Sequence, residues 1–253
     1  MSGNLKEERK LLPPAILIFL LLLLTVSATG QVRIPPGRAP QRVAYLQYIS
    51  GEVSVAPSAT SEWTAARLNK PLTASESVWT ATNSRGEINV GDGFIRMNSE
   101  ASLTVIALSL SNVQVSVNQG EVSVTVSRLL PGEIYEIDTP NATLTVTKTG
   151  VYRVEVRPAE DKTSVTTRKG SIVATGRGPA VSINSGQQVT FLGDNSLQHT
   201  AQKAPSPDGF EDWASVRDKR LATSRPPFGA VVGYGPWPYG AVAVPGPPPP
   251  PPY

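Results

Sequence analysis

Seven times between Tyr48 and Phe191 the chain sets a glycine ahead of a short run in which β-branched and polar residues alternate. Gly51-Glu-Val-Ser-Val55, Gly86-Glu-Ile-Asn-Val90 and Gly120-Glu-Val-Ser-Val124 are the plainest. The runs Gly132 to Ile137, Gly150 to Val156, Gly170 to Val173 and Gly186 to Phe191 follow the same pattern. Glycine reaches the positive φ that a tight corner requires, and strict alternation puts one face of a strand on a core and the other in water. A chain punctuated in this way is all-β. Short strands joined by glycine corners suit a β-roll or solenoid-like sandwich, and the pattern leaves open whether successive strands coil or fold back, because both use the same local signals. About fourteen strand candidates fit between Val43 and Leu192, separated by turns such as Asn83-Ser-Arg-Gly86 and Thr139-Pro-Asn141.

The chemistry available to such a chain is narrow. There is no cysteine, which removes disulfides, thiolate nucleophiles, zinc knuckles and a lipid-modified cysteine together. The single histidine, His199, falls in a polar stretch read as a linker, and one imidazole builds neither a zinc site nor a nucleophilic triad. Gly91-Asp-Gly93 is too short to cradle a phosphate and reads as a hairpin turn. Asp92, Asp138, Asp161 and Asp194 lack the spacing of a calcium loop. Asn141-Ala-Thr143 matches a glycosylation acceptor but is read as a turn. No cofactor and no metal are expected. The formal net charge of +3 is spread evenly and argues against a nucleic-acid partner.

Five segments follow along the chain. Lys6, Arg9 and Lys10 precede an apolar run from Ala15 to Leu24, and Val26-Ser27-Ala28 supplies small residues, so 1–28 reads as a signal peptide cleaved after Ala28. If retained it would be an anchor through residues 11–26, short of the roughly 20 residues of a full span. Residues 29–41 form a proline-containing linker, and 42–197 form the β domain. Residues 206–224 form an amphipathic helix capped by Ser206 or Asp208, with acidic residues at its start and Arg217, Lys219 and Arg220 toward its end. Its face of Phe210, Trp213, Ala214, Arg217 and Leu221 is expected to pack on the β domain. Phe210 and Trp213 are also weak candidates for binding a partner. Residues 225–253 make a disordered Pro/Gly/aromatic tail: from Pro226 onward, 11 of 28 residues are proline and none is charged. Trp237 is the tail's candidate for a partner contact.

Two further sets of residues need a reading. Glu52, Glu87, Glu121 and Glu133 each follow a turn glycine, and their recurrence favours a charge that discourages edge pairing over a catalytic pair of carboxylates. Two carboxylates converging in a cleft are not expected. Trp63 and Trp79 flank Leu68-Asn-Lys-Pro-Leu72 and are weak candidates for a ligand platform. Because Trp79 alternates with Val78 and Thr80, one of the two tryptophans is expected to face the core.

Taken in order, several of these segments resemble the FecR-like domain family. The resemblance rests on Tyr48-Ile-Ser-Gly-Glu-Val-Ser-Val55, Leu72 to Thr80, Arg85-Gly-Glu-Ile-Asn-Val-Gly-Asp-Gly-Phe-Ile-Arg-Met97 and Asn118 to Val124. It continues through Glu136 to Ala142, Gly150-Val-Tyr-Arg-Val154, Lys169-Gly170 and Ser185-Gly-Gln-Gln188, covering roughly 42–192. The helix with Pro207 to Trp213 and the Gly/Pro/Trp/Tyr tail are similar to those of uncharacterised exported bacterial proteins carrying this domain. The chain departs from the family at Ser75-Glu76, where Gly-Asp is usual. It also has only 14 residues ahead of the apolar run, too few for the cytoplasmic anti-sigma region of a signalling member. The resemblance implies a non-enzymatic module at the periplasm or cell surface that binds an envelope peptide, protein or polysaccharide. The alternative it leaves is a membrane-anchored component of envelope signalling.

Overall fold

The alternating runs join into one open, largely antiparallel sheet of fifteen strands. The computed structural model of the chain describes residues 42–57, 62–193 and 197–224. The signal segment 1–28, the linker 29–41, Asp194, and the tail 225–253 with Trp237 lie outside the described residues. The chain divides into units Met1–Gln41 and Arg42–Tyr253, and the description that follows concerns the second.

The strands are β1 (Ala44–Ser50), β2 (Val53–Ala56), β3 (Thr64–Ala65), β4 (Lys70–Leu72), β5 (Ser77–Thr80), β6 (Arg85–Asn89), β7 (Gly93–Met97) and β8 (Ser102–Leu108). They continue as β9 (Asn112–Val126), β10 (Ile134–Asp138), β11 (Thr143–Arg157), β12 (Lys162–Thr175), β13 (Val181–Asn184), β14 (Gln187–Leu192) and β15 (Gln198–Lys203). One helix follows among the described residues, α1 (Gly209–Ser224). The all-β class with a short helix is as the alternation implied. The strands are not uniformly short, however: β9 and β11 have 15 residues and β12 has 14.

These three long strands decide the architecture. The first half of β9 pairs with β8 and, in parallel, with β10, while its second half pairs with β7 and β11. The two halves of β11 and β12 likewise have different neighbours, β12 pairing with β14 through Lys162–Thr167 and with β13 through Ser171–Ala174. The sheet thus reads as two layers that share bent strands. The first runs β4-β1-β6-β7-β9-β11-β12-β14-β15, and the second β3-β2-β5-β8-β9-β10-β11-β12-β13. One apolar cluster, holding Val113, Val115, Val122, Val124, Tyr152, Ile137 and Ile183 among others, fills the space they enclose. Inward residues are odd-numbered in the first half of β9 (Val113, Val115, Val117) and even-numbered in the second (Val122, Val124, Val126). The parity change at the bend keeps the same side of a folded strand on the core, which is what a bulge accomplishes.

Four glycines read from sequence as corners therefore sit inside strands, Gly86 near the start of β6 among them. Gly150 and Gly170 face each other where β11 and β12 bend, and a Cβ on Gly150 would lie 2.0 Å from the Lys169 carbonyl oxygen. Gly170 has φ +90°, and a Cβ there would lie 2.2 Å from the Tyr152 hydroxyl. Gly120 sits in the β9 bend. One other expectation changes. His199 lies in β15 and not in a linker, its ring 5.9 Å from that of Phe191, so the sheet continues past residue 197. Asn141 is buried: its amide donates to the carbonyls of Asp161 (2.9 Å) and Gly193 (2.6 Å), and its oxygen accepts from the Thr163 hydroxyl (2.6 Å). Ser75-Glu76 makes a turn ahead of β5. Ser75 takes φ +74°, and Glu76 accepts from the Thr73 N–H at 2.6 Å.

Gly132 and Gly170 separate backbone strain from crowding, since Gly132 (φ +78°) has open space around its missing Cβ. Gly132→Ala is expected to cost about 1–2 kcal/mol, the left-handed penalty alone, and Gly170→Ala more than that. Urea unfolding of the two variants checks the order.

Candidate functional site: a charged sheet face beneath the helix

The core-facing side of the first layer is apolar, so its outer side carries the polar residues of each alternating run. Register aligns Tyr48, Glu87, Arg96, Ser123, Arg153 and Thr166 in one row across β1, β6, β7, β9, β11 and β12. This row is covered by α1, and charge supplies most of the named contacts. The Asp208 carboxylate caps the helix, accepting from the N–H groups of Phe210 (3.0 Å) and Glu211 (3.1 Å).

At the centre stands Glu87, whose side chain is fully buried with that of Arg96. Its Oε2 accepts from Arg96 Nε (2.7 Å) and Arg217 Nε (2.8 Å); its Oε1 accepts from Arg217 Nη2 (2.7 Å) and Gln47 Nε2 (2.6 Å). Arg96 passes its remaining donors to Asp218 Oδ1 (2.7 Å) and Thr125 Oγ1 (3.2 Å), and the Thr125 hydroxyl donates to Asp218 Oδ2 (3.1 Å). Two carboxylates thus meet two guanidiniums, and the group is electrically balanced. Burial raises the Glu87 pKa, but the Arg217 hydrogen bonds and the Arg96 charge outweigh it and hold the carboxyl below its ordinary range.

The first turn of α1 has its own charged seat. Arg168 forks onto Glu211 (2.6 and 2.5 Å), and Arg153 reaches Asp208 (2.8 Å) and Glu211 (3.1 Å). Arg153 Nε also lies 2.6 Å from Glu121 Oε1, a charge contact without hydrogen-bond alignment. Burial therefore prevails at Glu121, whose pKa is raised. Aromatic contacts fill the gaps. Trp213 packs against Tyr48 and Phe210, with ring centroids 5.6 and 5.8 Å away, and the Arg85 and Arg217 guanidiniums lie 5.0 and 5.8 Å from its ring. Phe210 and Ala214 are buried, so the predicted helix face is placed on the sheet.

The glutamates after glycine are not edge charges. Glu87, Glu121 and Glu133 each hold a part-buried or buried arginine, Glu133 taking Arg42 at 2.7 Å, and only Glu52 is exposed. Acidic side chains also gather at one place on the sheet. Glu121 and Glu155 are register partners on β9 and β11, and they line a recess of about 560 Å³ with Glu100 and Glu160. Both are engaged by arginine, Glu155 by Arg157 at 2.6 Å. No group of three or more His, Asp or Glu side chains placed to hold a metal occurs among the described residues.

The outer face of the second layer is different. Trp79 on β5 stands opposite Ser54 on β2, which stands opposite Ala65 on β3, and Ser102 on β8 extends the row. Trp79 is half-buried on this outer side and Trp63, just before β3, is 50% exposed, so neither enters the core as expected; Val78 and Thr80 point inward. Beyond them the face is built of Thr104, Ser116, Asn118, Gln114, Glu136 and Asp138. Asn118 donates to Thr104 (3.1 Å), and Gln114 to Glu136 (2.7 Å) and Asp138 (2.9 Å).

A β-sheet domain with a helix held by ion pairs is the class these features define. Residues 76–173 match the family model described as FecR protein. That segment, from the turn before β5 into β12, is of FecR type; it contains Glu87, Arg96, Glu121, Arg153 and Arg168, while α1 lies outside it. No curated protein matches. Two crystal structures from Parabacteroides distasonis ATCC 8503, each provisionally described as that of an anti-sigma factor, are similar. One is 13% identical with a TM-score of 0.44, covering 50% of this chain and 59% of that one. The other is 12% identical with a TM-score of 0.46, covering 55% and 64%. The chain spans about three fifths of the length of those structures. No helix among the described residues is long and apolar enough to cross a membrane.

Glu87→Gln leaves two guanidiniums around a neutral amide and is expected to cost about 3–5 kcal/mol. The pH dependence has a definite sign. Because the folded pKa of Glu87 is lowered, its contribution is present above the unfolded carboxylate range and is lost as pH falls through the folded value. Glu121, with a raised pKa, acts in the opposite sense and favours the fold as pH falls. The Trp213 indole N–H resonance reports Glu87, through the Arg217 guanidinium beside its ring. In the wild type it should move only below the ordinary glutamate range, and in Glu87→Gln it should be displaced already at neutral pH.

Proposed function

We propose that the chain is a non-enzymatic binding module of the bacterial envelope, and that it takes up a polysaccharide along the outer face of the second layer. The observation that carries this is the asymmetry of the two polar faces. Helix α1 occupies the first, whereas no described element lies across the second, which combines a half-exposed tryptophan pair with rows of hydroxyl and amide groups. Indole rings stack on the C–H faces of sugars, and Ser, Thr, Asn and Gln side chains exchange hydrogen bonds with sugar hydroxyls. The FecR-type segment supports a place in the envelope, and the apolar run at 15–24 supports export.

A binding role without hydrolysis is favoured because Glu121 and Glu155 belong to the first layer and not to the tryptophan face of the second, and Glu155 is engaged by Arg157. The FecR-type match also favours a second reading, in which residues 1–28 are retained and the domain reports an envelope signal to a membrane partner. A mature soluble protein beginning at Thr29 would exclude that reading.

The test is binding of cell-wall polysaccharide to the exported protein, followed by pull-down and calorimetry. Trp79→Ala should weaken binding about tenfold or more and Trp63→Ala less, with α1 undisturbed. Unchanged binding in the double variant would overturn the surface. Release of reducing ends that stops in Glu121→Gln would overturn the non-enzymatic assignment.

A further inference from the structure

Beside the charged row under α1 runs a second row on the same outer face. Phe94, Thr125, Val151 and Lys169 are register partners in turn across β7, β9, β11 and β12, about 14 Å from end to end at ordinary strand spacing. Phe94 and Val151 are apolar although they lie on the outer side of the sheet. The helix is held over the neighbouring row by arginine side chains, Arg96 reaching Asp218 and Arg168 reaching Glu211, and it does not close on this one. A recess of about 360 Å³ opens between Val151, Lys169 and the helix residues Ala214, Ser215 and Lys219. A second, of about 260 Å³, opens between Phe94, Thr125, Val151 and Leu221. Val151, Lys169 and Asp218 line both, so the two make one groove along the flank of α1.

The groove is graded from apolar to cationic. Phe94, 5% exposed, and Leu221 line one end; Lys169 on the sheet and Lys219 on the helix line the other. Neither ammonium has an ion-pair or hydrogen-bond partner among the described residues. The acids of the walls are mostly spent: Asp218 takes Arg96 and Thr125, and Glu211 takes Arg168 and Arg153. Asp212 alone among the lining carboxylates has no such partner, and it stands seven residues, about 10 Å, up the helix from Lys219. We infer that the groove binds a monocarboxylate with an apolar body, its carboxylate between Lys169 and Lys219 and its body lying along Val151 toward Phe94 and Leu221. Two free ammoniums against one free carboxylate leave a single positive charge, which one carboxylate neutralises. An apolar body removes the floor of the groove from water, and the size of the recess is that of an ordinary small-molecule site. Such a ligand touches sheet and helix together, so its binding stabilises the docked position of α1. The groove shares no residue with the tryptophan face and does not depend on the polysaccharide reading.

Calorimetry of the exported protein with octanoate, octanol and octylamine tests charge and apolar body apart. Octanoate should bind, octanol more weakly, and the octylammonium ion not at all. Methyl resonances of Val151, Ala214 and Leu221 should move on adding octanoate, which places the ligand without any substitution. Lys169 and Lys219 are exposed and the fold does not need them. Lys169→Gln and Lys219→Gln should each weaken octanoate about two- to fivefold and leave octanol unchanged. Lys203→Gln, the same change of charge on β15, should alter neither. Absence of octanoate binding at millimolar concentration would overturn the inference. So would equal binding of all three amphiphiles, methyl shifts confined to other residues, or unchanged octanoate binding in the double lysine variant. Trp79→Ala should leave octanoate binding intact, so this site and the polysaccharide surface fail separately.

Discussion

A carboxylate taken entirely out of water and shared by two guanidiniums is the constraint from which the rest of this structure follows. Glu87 sits on the outer side of β6, where an alternating strand places its polar residues, and an isolated charge there would be solvated and cheap. Covered by α1, it needs every lone-pair direction filled, and Arg96, Arg217 and Gln47 fill them. Those bonds come from three different elements, so the carboxylate dictates where the helix lies and which of its faces turns down. Arg217 must reach Glu87 while Asp218, one residue on, meets Arg96.

The same logic explains why a charged helix can cover a sheet most of whose apolar residues point the other way. Long strands that bend at Gly120, Gly150 and Gly170 wrap both layers around one core, which consumes the valine, isoleucine and leucine residues of the alternating runs. What remains outside is polar on both faces. On the first, the arginine and glutamate rows find partners on α1. On the second, hydroxyls and amides find one another, with Trp79 and Trp63 at one end.

Much of this was legible in the residues. Alternation after glycine identified the strands, and the order of motifs identified the FecR-type segment. A cap at Ser206 or Asp208, of which the structure uses Asp208, and the packed face with Phe210 and Ala214 followed from helix chemistry. Other features were hidden for physical reasons. A glycine at a bend inside a strand has the same local signature as one between strands, so Gly150 and Gly170 read as corners until cross-strand register is known. Glutamates after glycine look alike in sequence. Whether one is exposed, like Glu52, or buried, like Glu87, depends on which arginine a distant element brings, and Arg217 lies 130 residues away. Trp79 misled through parity, since its neighbours Val78 and Thr80 hold the inward positions.

The central claim is that the Glu87–Arg217 contact fastens α1 to the sheet and does not merely accompany its packing. A double-mutant cycle on unfolding free energy isolates that term, using Glu87→Gln, Arg217→Gln and the pair. The account predicts a coupling of about 1–3 kcal/mol, with the double variant losing less than the sum of the single ones. Additive losses would mean that apolar and aromatic packing holds the helix, and would contradict it.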